Sequence, residues 1–262
     1  MTFRFHSLVL ASCLALACSQ HVEQTKLTPA AGTSRSPFAP PNTVTRVYGS
    51  LDALSNEGKM GPAVWLSSLQ ADSTLVGLGS LSELRGEVLV LGGETWLGYP
   101  AGPNGPYGRT LGDSDETAAF LVTASVPDWR TLSLVRDIAN ADLEASVEQL
   151  GRDAGLDVEQ PFPIVIEGVL KDLEYNVVNG RGFEAGKPIP RVVLMAAASR
   201  SAVESAEGVL VGFYGKHAQG KFVHPDTRLH MHVLLREERQ VGHVDHVNIP
   251  AGATVRVPAP RR

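Results

Sequence analysis

Four of the chain's eight histidines fall in residues 228–247, RLHMHVLLREERQVGHVDHV. His230 and His232 flank a single residue, His243 follows eleven positions later, and His246 three after that. Imidazolium charges this close repel, so such a cluster suits groups kept neutral, as metal ligands or as acid–base catalysts. The alternative is a surface hairpin whose histidines simply meet water. RLHMHVLL alternates as a strand does, which puts His230 and His232 on one face. Two imidazoles at that spacing can converge on one ion at about 2.0–2.1 Å. The polar turn REERQ precedes a second strand-like run, QVGHVDHV, and a hairpin return would set His243 opposite the first pair. Three convergent histidines leave positions open, the catalytic pattern for zinc; iron, nickel and manganese also accept imidazole. His246 falls on the opposite face of a regular strand. His217 and His224 lie in a loop punctuated by glycine and proline and are expected to meet solvent.

A second chemical group lies far upstream. GEVLVLGGETWLG reads as a hairpin turning at Gly92-Gly93, a pair that accepts positive φ. In its first arm Glu87, Leu89 and Leu91 share one face, while Val88 and Val90 share the other. A carboxylate in line with leucines either ends the strand in water or points into a site.

These groups need a scaffold, and most of the segments around them read as strands. TLVGLGSL, TAAFLVTASV, FPIVIEGVL, RVVLMAAAS and EGVLVGFYG are all strand-like. Helical spacing occurs at Leu51 and Leu54, and again at Leu143, Val147 and Leu150, where Asn140 is a candidate N-cap and Gly151 and Gly155 are candidate stops. Most connections are too short for parallel crossovers. The expected class is α+β, strand-rich, with mixed or antiparallel sheets.

Residues 1–18 have a weakly positive start, an apolar run from Leu8 to Ala17 and small residues, the pattern of a signal peptide. Both cysteines, Cys13 and Cys18, lie there, so no disulfide framework is expected beyond it. LASC and ALAC both resemble lipoprotein boxes, and Cys18 is the favoured acylation site. Residues 19–42 are rich in Pro, Ser, Thr and Ala and read as a flexible tether. Residues 43–262 form the folded domain, and an exported protein is expected, periplasmic or anchored to the membrane by lipid. The 262-residue chain carries a net charge of −5 and no basic stripe, which argues against nucleic acid.

Three stretches in order resemble the alpha-acetolactate decarboxylase family: VGLGSLSELRGEVLVLGGETW, EGVLVGFYGKHAQG, and RLHMHV followed by GHV at the family's histidine interval. The resemblance runs from about Val44 to Val257. It implies a two-part, strand-rich domain that forms a homodimer. It also implies a divalent metal, usually zinc, held by His230, His232 and His243, and decarboxylation of acetolactate, a 2-hydroxy-3-keto acid, to acetoin. Glu87 matches the family's site glutamate, and Glu94 of the second Gly-Glu pair is expected to be structural. Where the family carries a site arginine this chain has Asn176, with Arg181 and Arg228 as candidates for the missing charge. A non-catalytic, metal-binding relative that takes a small ligand or partner at the cell envelope is the alternative. HMHVLLRE with Glu237 also fits one cupin box, but PAGATV lacks the histidine that the second requires.

Overall fold

The computed structural model describes residues 38–69, 72–102, 105–110 and 115–261. The signal-peptide reading and most of the tether lie outside the described residues. The elements in chain order are β1 (Val44–Tyr48), α1 (Leu51–Glu57), β2 (Val64–Trp65), β3 (Leu75–Leu81), β4 (Glu87–Leu91), β5 (Glu94–Gly102), β6 (Gly105–Thr110), β7 (Thr117–Ser125) and β8 (Trp129–Ser133). They continue with α2 (Leu143–Asp153), β9 (Phe162–Val177), α3 (Arg191–Ala197), β10 (Ser199–Tyr214), β11 (Leu229–Leu235), β12 (Gln240–Asn248) and β13 (Thr254–Pro258).

The strands make two sheets. The first runs β1-β7-β3-β4-β5-β6, with β2 beside β7; the second runs β10-β11-β12-β9-β13-β8. The long strands β9 and β10 also pair, from Phe162↔Tyr214 to Val177↔Ser199, which closes β10-β11-β12-β9 into a ring. The pairings between named strands are antiparallel, so the expectation of a strand-rich α+β fold holds in its antiparallel form.

The β4–β5 hairpin turns where expected, with φ +63° at Gly92 and +80° at Gly93, the left-handed pair that a two-residue turn between twisted strands requires. Alternation along β4 then sorts its side chains. Val88 and Val90 enter an apolar cluster with Leu66, Leu81 and Leu121 on the far side of the first sheet. Leu89 enters the core between the sheets, with Phe120, Val211, Phe213 and Leu234. Glu87 shares the Leu89 face and is therefore aimed at the second sheet. A third cluster packs α2, through Leu143 and Val147, onto the strands of the ring.

Three local expectations are corrected. Of RVVLMAAAS, Arg191–Ala197 form the helix α3, not a strand, and only Ser199 belongs to a strand, opening β10. Pro190 precedes it with φ −57°, and its carbonyl accepts from the amides of Val193 and Leu194; the Leu-Met-Ala run that follows favours helix. Asn140 does not cap α2. Its side-chain oxygen accepts from the Val247 amide at 3.1 Å and its own amide donates to Asn248 at 2.8 Å, tying the helix entry to β12. Gly151 does not stop α2 either; it lies inside the helix, where a Cβ would meet the Phe162 ring at 2.7 Å. The end of the tether segment is pinned to the domain, with Ala39 bonded to Gly155 and Asp157 and Asn42 to Ala259.

Candidate metal and active site

β11 brings His230 and His232 to one face, and the β11–β12 register sets His243 directly across from His232. Both strand histidines are buried, at 3% and 1% exposure. Each is fixed by a carbonyl: His230 Nδ1 donates to Phe222 O at 2.8 Å, and His232 Nδ1 donates to Val88 O, on β4 of the opposite sheet, at 3.0 Å. A carbonyl only accepts, so Nδ1 carries the hydrogen in both rings and each Nε2 keeps its lone pair. The His230 ring also lies parallel to Phe120 of β7, 6.0 Å between centroids. The two sheets together therefore orient the pair.

A fourth histidine joins them. His224, expected in solvent, sits partly buried against His230 and His243, with centroids 5.1 Å and 5.2 Å away. The ligand atoms of His224, His230 and His243 all lie within 4.8 Å of one another. His232 borders the same group, 5.2 Å from His230 and 5.6 Å from His243 between centroids. Burial drives the ring pKa values down, to about 4 for His224 and about 3 for His232, and well below the ordinary value for His230 and His243; neighbouring histidines add to the effect on His230, His232 and His243, and the Arg191 charge to that on His224. Neutral imidazoles with free Nε2 lone pairs are the form a divalent cation binds, so the donor set fits a metal.

Glu87 reaches this cluster from the first sheet. It is 3% exposed, its Oε1 accepts from the Val178 amide at 3.0 Å, and its Oε2 stands 3.7 Å from His232 Nε2. That distance is too long for a hydrogen bond. Burial pushes the carboxyl up to about 8, against the Val178 hydrogen bond, while His232 is pushed to its neutral form. The contact is thus between an uncharged acid and an uncharged imidazole, not an ion pair.

His224 and His243 open onto a cleft of about 290 Å³, also lined by Arg191, Asp226, Met231 and Asp245. Its shape depends on the 215–228 loop, which two helices grip. From α2, Glu144 accepts from Thr227 Oγ1 at 2.7 Å and from Arg228 N and Nε at 2.6 Å, and Glu148 accepts from Arg228 at 2.8 Å. From α3, Arg191 pairs with Asp226 at 2.7 Å.

A family model described as alpha-acetolactate decarboxylase matches residues 48–259, well over half of the chain. The chain belongs to the alpha-acetolactate decarboxylase family. No curated protein matches it. Solved structures share the fold. The alpha-acetolactate decarboxylase of Bacillus subtilis strain 168 superposes with a TM-score of 0.63 at 17% identity, covering 82% of this chain and 84% of that one. The acetolactate decarboxylase of Bacillus subtilis subspecies spizizenii gives 0.63 at 16%, covering 82% and 85%. A Staphylococcus aureus protein of unknown function similar to alpha-acetolactate decarboxylase gives 0.61 at 16%, covering 81% and 84%.

Within this decarboxylase fold, Asn176 pairs with His243 across β9 and β12 and is buried; its amide donates to Asp245 at 2.9 Å. Neither proposed substitute for the family's arginine lines the cleft: Arg181 is exposed in a turn, and Arg228 is held by Glu144 and Glu148. Arg191 is the cation among the cleft's lining residues. Reading its segment as a strand hid it; Pro190 and the alanines were the available signal. His224 was hidden by its loop, and nothing local in the sequence reports the grip of α2 and α3. Glu94 faces Arg236 at the surface, Glu237 is exposed in the β11–β12 turn, His217 is exposed beside Glu159, and His246 falls at an irregularity of β12.

Proposed function

We propose that the chain catalyses metal-dependent decarboxylation of 2-acetolactate to acetoin, with His230, His232 and His243 holding a divalent ion, zinc by the family's habit, and Glu87 handling the proton. The observation that carries this reading is the convergence of neutral histidines from the second sheet with a buried, uncharged Glu87 from the first. A bound ion would act as a Lewis acid toward the hydroxyl and carbonyl oxygens of a 2-hydroxy-3-keto acid, drawing off the negative charge that develops as CO₂ leaves. The chain supplies the rest. The carbonyls of Phe222 and Val88 hold the two strand imidazoles in the ligating tautomer. Arg191, at the cleft, offers its guanidinium to the substrate's carboxylate, exchanging its bond to Asp226 for one of the same kind. The C–C bond to the carboxylate breaks and CO₂ departs, its electron pair stays with the former α-carbon, a proton from Glu87 completes acetoin, and Glu87 regains a proton from water.

Acetoin formation from racemic acetolactate by the purified mature protein, with metal content measured on the same sample, tests the reading. Turnover that tracks metal content supports it; a metal-replete protein that makes no acetoin refutes it and favours the ligand-binding relative. The N-terminal pattern supports export with a lipid anchor at Cys18. Fractionation checks that part: Cys18→Ala should leave the membrane fraction, and an uncleaved cytosolic product would refute it. A homodimer belongs to the same proposal and is read by sedimentation.

A further inference from the structure

The metal reading uses three histidines, yet four rings face one space. We propose that His224 is also a metal ligand of this chain, so that the centre is built from His224, His230, His232 and His243. The inference rests on the metal reading above and extends it to a residue on a different element.

The geometry points this way. The ligand atoms that lie within 4.8 Å of one another are those of His224, His230 and His243, with His232 bordering that group. His224 lies closer to His230 than His232 lies to His243, 5.1 Å against 5.6 Å between ring centroids. Its place is also built. The loop turns immediately after it, with the Thr227 amide donating to His224 O at 3.2 Å, and the next residues are clamped by Asp226–Arg191 and by Thr227 and Arg228 on Glu144. A loop free to choose would turn a polar ring to water rather than press it against two others. Finally, His230 and His232 each spend Nδ1 on a carbonyl and keep Nε2 open, and among the described residues no hydrogen bond takes up a ring nitrogen of His224. An imidazole so held, with no ring nitrogen taken up by another group, is free to turn a lone pair toward the ion the other rings share.

Cobalt(II) is the probe. The metal-stripped full protein and its His224→Ala, His224→Cys and His230→Ala variants are titrated with cobalt(II) against a competing chelator, and the visible spectrum of each complex is recorded. Loss of a ligand should cost at least what loss of an outer-shell partner costs, so His224→Ala should weaken binding by about tenfold or more and change the cobalt spectrum. His224→Cys should bind more tightly than His224→Ala and show a thiolate-to-cobalt charge-transfer band that the alanine variant lacks; that band keeps the test open even if the alanine variant folds poorly. Wild-type affinity and spectrum in His224→Ala, alongside loss of binding in His230→Ala, would overturn the proposal while leaving the metal reading intact. A wild type that takes up no cobalt would overturn the metal reading itself.

Discussion

Replacing Glu87 with glutamine should make the metal-free protein more stable above acid pH and far less active once loaded. The carbonyl oxygen of the introduced side chain can keep the bond from the Val178 amide, so the change removes a titration and little else. In the folded protein the carboxyl is raised from 4.5 to about 8. Below pH 4.5 the group is protonated both folded and unfolded and contributes no difference. As pH rises toward 8 the unfolded chain releases the proton while the folded one retains it, so wild-type stability falls. At about 1.4 kcal/mol per pH unit, the loss is about 3 kcal/mol at pH 7 and about 5 kcal/mol above pH 8. Urea denaturation of the metal-free wild type and Glu87→Gln at pH 4.5, 7 and 8.5 should show a gap in favour of the variant that opens over this window. Both proteins carry the same histidines, so the histidine titrations cancel in the comparison. A bound divalent cation draws a neighbouring carboxyl down, and restoring metal should narrow the gap. In the loaded protein the same substitution should lower kcat by about 10²–10⁴ with metal content unchanged. A gap that does not vary with pH, or full activity in the variant, would refute the reasoning.

The histidines titrate in the opposite sense. His232 falls from 6.5 to about 3 in the folded state, so its contribution is whole above pH 6.5 and is lost as pH falls toward 3; urea unfolding of the metal-free protein at descending pH, followed by circular dichroism, should show a summed loss to which this group contributes up to about 5 kcal/mol. Arg191→Gln removes a charged partner for the substrate carboxylate worth about 1.5–3 kcal/mol, so kcat/KM should drop about 10–100-fold with metal content unchanged, as steady-state kinetics would show. Gly151→Ala presses a methyl on the buried Phe162 ring and should cost about 1–3 kcal/mol in urea unfolding despite the gain in helix propensity.

The sequence alone determined what depends on local periodicity. Alternation put His230 and His232 on one face, the polar turn returned His243 opposite His232, and Gly92-Gly93 fixed a hairpin that aimed Glu87 with Leu89 between the sheets. These follow from the two-residue period of a strand and the positive φ of a tight turn, which are written into neighbouring residues. What only the tertiary structure decided depends on partners far apart in the chain. Val88 O, 144 residues from His232, sets that ring's tautomer. Glu144 on α2 and Arg191 on α3, far from the loop in sequence, hold the residues that follow His224 and so keep it at the cluster. RVVLMAA has the valines of a strand, yet no strand among the described residues pairs with it, so helix propensity and Pro190 prevail. The uncharged state of Glu87 likewise belongs to the fold, because desolvation is a property of everything packed around a carboxyl and no short stretch of sequence records it.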